Sequence, residues 1–190
     1  MANPRKDSAE RESPARSYKV LLTDTDRWPA PARLAIALAD AGCNVFAVCS
    51  TPGNPLLKTR AVRRTYPYRG LRPLDSLVAA IDAVQPDLIV PCDDRGVQHL
   101  HELHAQAPGG SLAALIERSL GAPESYPVVS SRYQLLRIAS EEQIPVPRTL
   151  RIDSMQAAKN LFSARSSPWV LRAGGTWGGR GSSSVIPESK

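Results

Sequence analysis

The residues with the clearest chemical meaning stand near the C-terminus, in the run Ala173-Gly174-Gly175-Thr176-Trp177-Gly178-Gly179-Arg180-Gly181-Ser182. Five glycines fall within the eight residues from Gly174 to Gly181. Lacking Cβ atoms, such a segment lets backbone N–H groups close on phosphate oxygens, so it is a candidate phosphate cradle. Arg172 precedes it at the end of a strand-forming run, Trp169-Val170-Leu171, where a guanidinium can share a phosphate with the loop amides. Trp177 can close over a ligand or pack beneath the loop. A P-loop needs Gly-Lys-Ser/Thr leading into a helix, and a dinucleotide fingerprint needs Gly-x-Gly-x-x-Gly at a helix start. The segment meets neither pattern, and on composition alone it reads equally well as a flexible hairpin tip or linker.

Four other constellations invite weighing. His99, His101 and His104 (HLHELH) could offer His101 and His104 on one helix face, but the spacing is not His-x-x-x-His, so a packed or solvated helix is the reading adopted. Asp93 and Asp94 follow an apolar strand at the end where open α/β sheets bind ligands, yet helix capping accounts for them as well. The basic run from Lys58 to Arg72, with Tyr66 and Tyr68 as stacking partners, could contact a nucleic acid, although no RNA- or DNA-binding motif accompanies it. Ser50 and Ser131 have no His or Asp at a recognisable motif spacing, which leaves nucleophilic catalysis unsupported.

The elements that must position these residues alternate. Lys19 to Leu22 reads as a strand, ARLAIALADAG as a helix stopping at Gly42, and Asn44 to Cys49 as a second strand, which makes a right-handed βαβ crossover the default. A proline-rich, basic connection with a short strand near Thr65 to Tyr68 leads to a helix predicted to be capped by Asp75. Asp87 to Val90 is a further buried strand, and two helices follow, GVQHLHELHAQA and SLAALIERSLG. This alternation predicts an α/β, mostly parallel sheet with helices on both faces. After a linker at Ala122 to Tyr126, Ser130 and Ser131 open a helix predicted to turn Tyr133, Leu136, Ile138 and Ala139 to a core. Ile144 to Thr149 is extended because each proline disfavours the helical region for its predecessor. Asp153 is expected to cap a short helix, and Val185 and Ile186 to begin a return strand.

Composition sets the outer limits. The chain has 190 residues, 42% of them hydrophobic, and 24 Lys+Arg against 18 Asp+Glu leave a net +6. No apolar window approaches the length of a membrane span. The first 17 residues mix charges without an apolar core and read as a disordered tail rather than a targeting peptide. Cys43, Cys49 and Cys92 are odd in number and suit buried thiols in a reducing cytosol. Arginine supplies 19 of the 24 basic residues, and a charge of this size permits an anionic partner without requiring one.

The order "SRYQLLRIASEEQIPVPRT", then a strand ending in a basic residue, then "GGTWGGRG", resembles the opening of an ATP-grasp fold, as in carbamoyl-phosphate synthase-like and carboxylate-amine ligase-like enzymes. The preceding βαβ region through "PDLIVPCDD" is similar to their Rossmann-like pre-ATP-grasp domain. The resemblance covers nearly all of the chain after Ser17. It implies a pre-ATP-grasp domain over residues 18–125 and an incomplete ATP-grasp subdomain over 126–190. It further implies ATP-dependent ligation of a carboxylate to an amine through an acylphosphate, in the cytoplasm. The residues it marks for ATP binding are Arg132, Arg172, Thr176, Trp177, Gly178, Gly179 and Gly181, Arg172 standing where many members have Lys. Family members hold magnesium with acids in a further stretch that does not occur before Lys190, so the expectation is that this polypeptide alone is not a competent ligase. The competing expectations are a non-catalytic interaction module without ATP binding and a nucleic-acid binder using the basic run.

Overall fold

The structure is a computed structural model and describes residues 17–163, 169–173 and 182–185. Four strands, β1 (Lys19–Asp24), β2 (Asn44–Cys49), β3 (Val62–Pro67) and β4 (Leu88–Pro91), form one sheet in the order β3-β2-β1-β4. Every pairing is parallel. That follows from the connections, because α1 (Ala30–Asp40) carries the chain back between β1 and β2, and α2 (Pro73–Val84) between β3 and β4. The expected α/β architecture is present.

Strand alternation divides the core in two. Val20, Leu22, Val45, Ala47 and Cys49 point to one face and pack with Ala35 of α1 and Leu56. Leu21, Val48 and Ile89 point to the other, against Leu77, Ala80, Ile81 and Val84 of α2 and Leu100 and Leu103 of α3 (Asp94–Gln106). Leu115 and Ile116 of α4 (Ser111–Leu120) and Tyr126 complete that layer. Helices therefore cover both faces, as a buried parallel sheet requires.

The two sheet borders are finished differently. On β4, the amides of Asp87 and Cys92 donate to the Lys19 and Thr23 carbonyls of β1 at 2.9 and 2.8 Å, whereas the Ile89 amide turns outward to Ser119 Oγ of α4 at 2.9 Å. Pro91 has no amide to offer. On the opposite border, β3 carries exposed Arg63 and Arg64, and Arg64 lies over the Tyr66 ring at 5.0 Å. Strand β3 begins earlier than the predicted Thr65, because Val45 pairs with Val62 and Phe46 with Arg64, leaving Arg63 as an irregularity. Its exposed basic residues hide the apolar alternation by which a strand is recognised.

Local chemistry corrects three expectations. Helix α2 starts at Pro73, whose fixed φ and missing N–H suit the first turn, so Asp75 lies inside that turn instead of capping it. Ser76 Oγ closes the entry by accepting from the Arg69 amide at 3.0 Å and donating to the Arg72 carbonyl at 2.8 Å. At α7 (Met155–Ser163) the cap is Ser154, which accepts from the Ala157 amide at 3.1 Å, while Asp153 pairs with Arg151 Nε at 2.7 Å. In α6 (Arg132–Glu141), capped by Ser131 as expected, Tyr133 is exposed rather than turned to a core, and Leu136, Ile138 and Ala139 are half-buried. Among the described residues after Tyr126 none is buried, so α6 has no apolar layer to face. Strands β5 (Trp169–Arg172) and β6 (Ser182–Val185) pair antiparallel, Arg172 opposite Ser182. The predicted return strand thus begins three residues before Val185, and Ile186 lies outside the described residues.

Candidate functional site

The direction of sheet winding reverses at β1: the chain moves outward through β2 and β3, then returns to place β4 on the other side of β1. Open α/β sheets bind ligands at such a reversal, outside the carboxyl ends of the strands. Here those ends are Thr23 to Asp26 and Cys92 to Asp94. Asp93 is the N-cap of α3, its Oδ1 accepting from the Gly96 amide at 2.8 Å, and its Oδ2 also accepts from the Thr25 amide at 2.5 Å. One carboxylate therefore fixes both the helix start and the loop after β1. Asp93→Ala is expected to cost about 1–2 kcal/mol in urea unfolding, the size of a lost cap plus a lost cross-loop bond. Unchanged stability would contradict that role.

Deeper in the same place, Asn54 Nδ2 donates to Asp24 Oδ2 at 2.6 Å and to the Asp26 carbonyl at 2.8 Å, while its Oδ1 accepts from the Leu56 amide at 2.9 Å. Asp24 is 1% exposed, and its Oδ1 has no hydrogen-bond partner among the described residues. Burial pushes its pKa up to about 6, with Asn54 opposing and Asp93 adding to the shift. Burial, and then the Asp24 charge, push the Cys49 and Cys92 thiols up to about 11 and about 12. Both thiols are therefore protonated and unreactive at neutral pH.

The arginines implicated in phosphate binding lie on other elements. Arg132 is the first residue of α6 and Arg172 the last of β5, and both are exposed. A 430 Å³ cleft beside α6 is lined by Tyr133, Leu136, Arg137, Ser140, Glu141 and the extended Val146 to Thr149, and includes neither of these arginines. Thr176, Trp177, Gly178, Gly179 and Gly181 lie outside the described residues. Exposed guanidiniums suit a triphosphate, with their forked donors and permanent charge. Magnesium is not matched in this way: no group of three or more His, Cys, Asp or Glu among the described residues could hold a metal.

The remaining constellations are dispersed or committed. The basic run divides between the crossover after β2 (Lys58, Arg60), the border strand (Arg63, Arg64) and the loop before α2 (Arg69, Arg72). The three histidines of α3 each have an aromatic neighbour. His99 Nε2 shares a 3.0 Å hydrogen bond with Tyr68 Oη, His101 stacks on Tyr126, and His104 meets the Tyr126 edge. Sequence reading missed the Asp24–Asn54 pair, for which a polar residue ending an apolar strand was the available signal.

The fold is shared with part of the chain of several solved ATP-grasp enzymes. A synthetase for N5-carboxyaminoimidazole from Staphylococcus aureus, complexed with ADP, matches with a TM-score of 0.62 at 11% identity, over 91% of this chain and 42% of that one. Biotin carboxylase from Campylobacter jejuni matches with 0.60 at 17%, over 90% and 39%. Glycinamide-RNase-transformylase T from Mycobacterium tuberculosis matches with 0.56 at 19%, over 90% and 44%. The chain thus spans about two fifths of the length of these structures, and at such identities the likeness is one of fold. No protein-family profile matches the sequence, and no curated protein does. Among the described residues no helix is long and apolar enough to cross a membrane.

Proposed function

We propose that the chain is the phosphate-holding portion of an ATP-dependent ligase that joins a carboxylate to an amine through an acylphosphate. The observation that carries this reading is the position of Arg172. It closes β5 immediately before the glycine-rich segment, in a chain with the fold of enzymes solved with ADP and as a β-γ-ATP complex. On this reading residues 18–125 are the pre-ATP-grasp unit and 126–190 open the ATP-binding unit. Arg132 and Arg172 hold the phosphates by charge-assisted hydrogen bonds, and the amides around Gly178, Gly179 and Gly181 cover them with Thr176 and Trp177. Magnesium would supply charge neutralisation between the phosphates, but no acids that could hold it are grouped among the described residues. The acceptor is a small molecule bearing a carboxylate or amine, and the compartment is the cytoplasm.

Calorimetric titration of the full chain with ATP, with and without magnesium, tests the proposal. Arg172→Ala is expected to weaken binding about tenfold, the low end for a hydrogen bond to a charged group, and Arg132→Ala by a similar factor. Absence of ATP binding at millimolar concentration would favour the non-catalytic interaction module. ATP binding unchanged in both variants would remove the assigned roles.

A further inference from the structure

Tyr126 is the last buried residue along the described chain, and everything after it, Arg132 included, leaves the core through this anchor. Its ring lies against His101 of α3, with centroids 3.9 Å apart and planes 13° from parallel, while His104 approaches its edge at 5.6 Å and 82°. His104 Nε2 is 2.7 Å from Glu117 Oε1 of α4. The Tyr126 hydroxyl is buried without a hydrogen-bond partner among the described residues. A buried orphan hydroxyl weakens the closed arrangement, because opening would return it to water.

We propose that His101 forms an acid-released clasp on Tyr126, docked while its imidazole is neutral and loosened when it takes up a proton. The charged and titratable groups facing this ring pair are His104 on α3, Glu117 on α4 and Glu124 on the turn before Tyr126. Glu117 lies at hydrogen-bond distance from His104 and so ties α4 to α3 beside the stacked rings. Burial first, and His104 second, hold the His101 pKa below its ordinary value. The sign follows directly: the open segment binds the His101 proton more readily than the docked one. Docking is therefore complete above the ordinary imidazole pKa of about 6.5 and weakens as pH falls through it. The consequence is local, since the clasp joins α3 and α4 to the start of the segment bearing Arg132.

Hydrogen exchange of the full chain without nucleotide, followed over residues 122–131 and corrected for the intrinsic pH dependence of exchange, reads this equilibrium. Protection is expected to fall several-fold between pH 7.5 and pH 5.5, with smaller change in β1 and β2. His101→Phe keeps a ring on the Tyr126 face but cannot titrate, and should abolish most of the pH dependence. His101→Gln removes the ring and should leave the segment open at both pH values. Wild-type protection that is flat across this range, or a Phe variant that loses protection with acid as the wild type does, would overturn the proposal. Because no nucleotide is present, either result is independent of the ATP titration.

Discussion

Gly96→Ala is expected to destabilise the fold by about 2–3 kcal/mol in urea unfolding, although it places a better helix former in the first turn of α3. A Cβ built on Gly96 would meet Thr23 Oγ1 at 2.6 Å, Pro91 Cβ at 3.3 Å and Asp93 Oδ1 at 3.6 Å. The first distance is inside contact, and its partner is a short β-branched side chain that is 1% exposed, so it cannot swing into solvent. Intrinsic propensity returns at most about 1 kcal/mol, less than overpacking removes. The pair should couple: in a Thr23→Ala background the obstructing oxygen is gone, and Gly96→Ala should then be nearly neutral. A double-mutant cycle reads this directly, and additive effects of the two substitutions would show that α3 does not depend on close approach to β1.

The second large effect concerns Asp24. Its folded pKa of about 6 lies above the ordinary 3.8, so the folded chain binds this proton more tightly than the unfolded chain. The contribution of the group to stability is therefore full at low pH and falls as pH rises through the window between those two values. Above about pH 6 the buried charge costs up to about 3 kcal/mol. Asp24→Asn can still accept from Asn54 and carries no charge. It should gain stability over the parent at pH 7 and match it near pH 4. Unfolding free energies measured across pH 4 to 8 check this. Parallel profiles for the two proteins would mean that the Asp24 carboxyl is solvated and titrates normally. The effect is separable from the histidine clasp, which acts with the opposite sign and at the far end of α3.

Strands β1, β2 and β4 and helices α1 to α4 were legible because each presents an uninterrupted apolar period bounded by turn residues. Strand β3 was less so, since it lies at a sheet border and its arginines break the pattern. The caps at Asp75 and Asp153 were misplaced for a common reason: an adjacent Pro or Ser offered the backbone a better-fitting start. Tyr133 was assigned to a core by periodicity, which reports a helix's amphipathic face but not whether anything covers it. The candidate site divides in the same way. The fold likeness and the location of Arg132 and Arg172 at element ends follow from sequence order. The buried Asp24–Asn54 pair depends on a contact across thirty positions: a polar residue ending an apolar strand hints at Asp24, and nothing local points to Asn54 as its partner.

The finishing of β4 by Ser119 has a consequence for assembly. An incoming polypeptide that tried to extend the sheet there would find no vacant amide, Ile89 being engaged and Pro91 having none, and so could not be zipped on as a fifth strand. Along the other margin, the exposed cationic charges of Arg63 and Arg64 would oppose their counterparts in an identical chain brought alongside. Self-association by continuous backbone pairing is thereby discouraged at both margins of the four-stranded sheet.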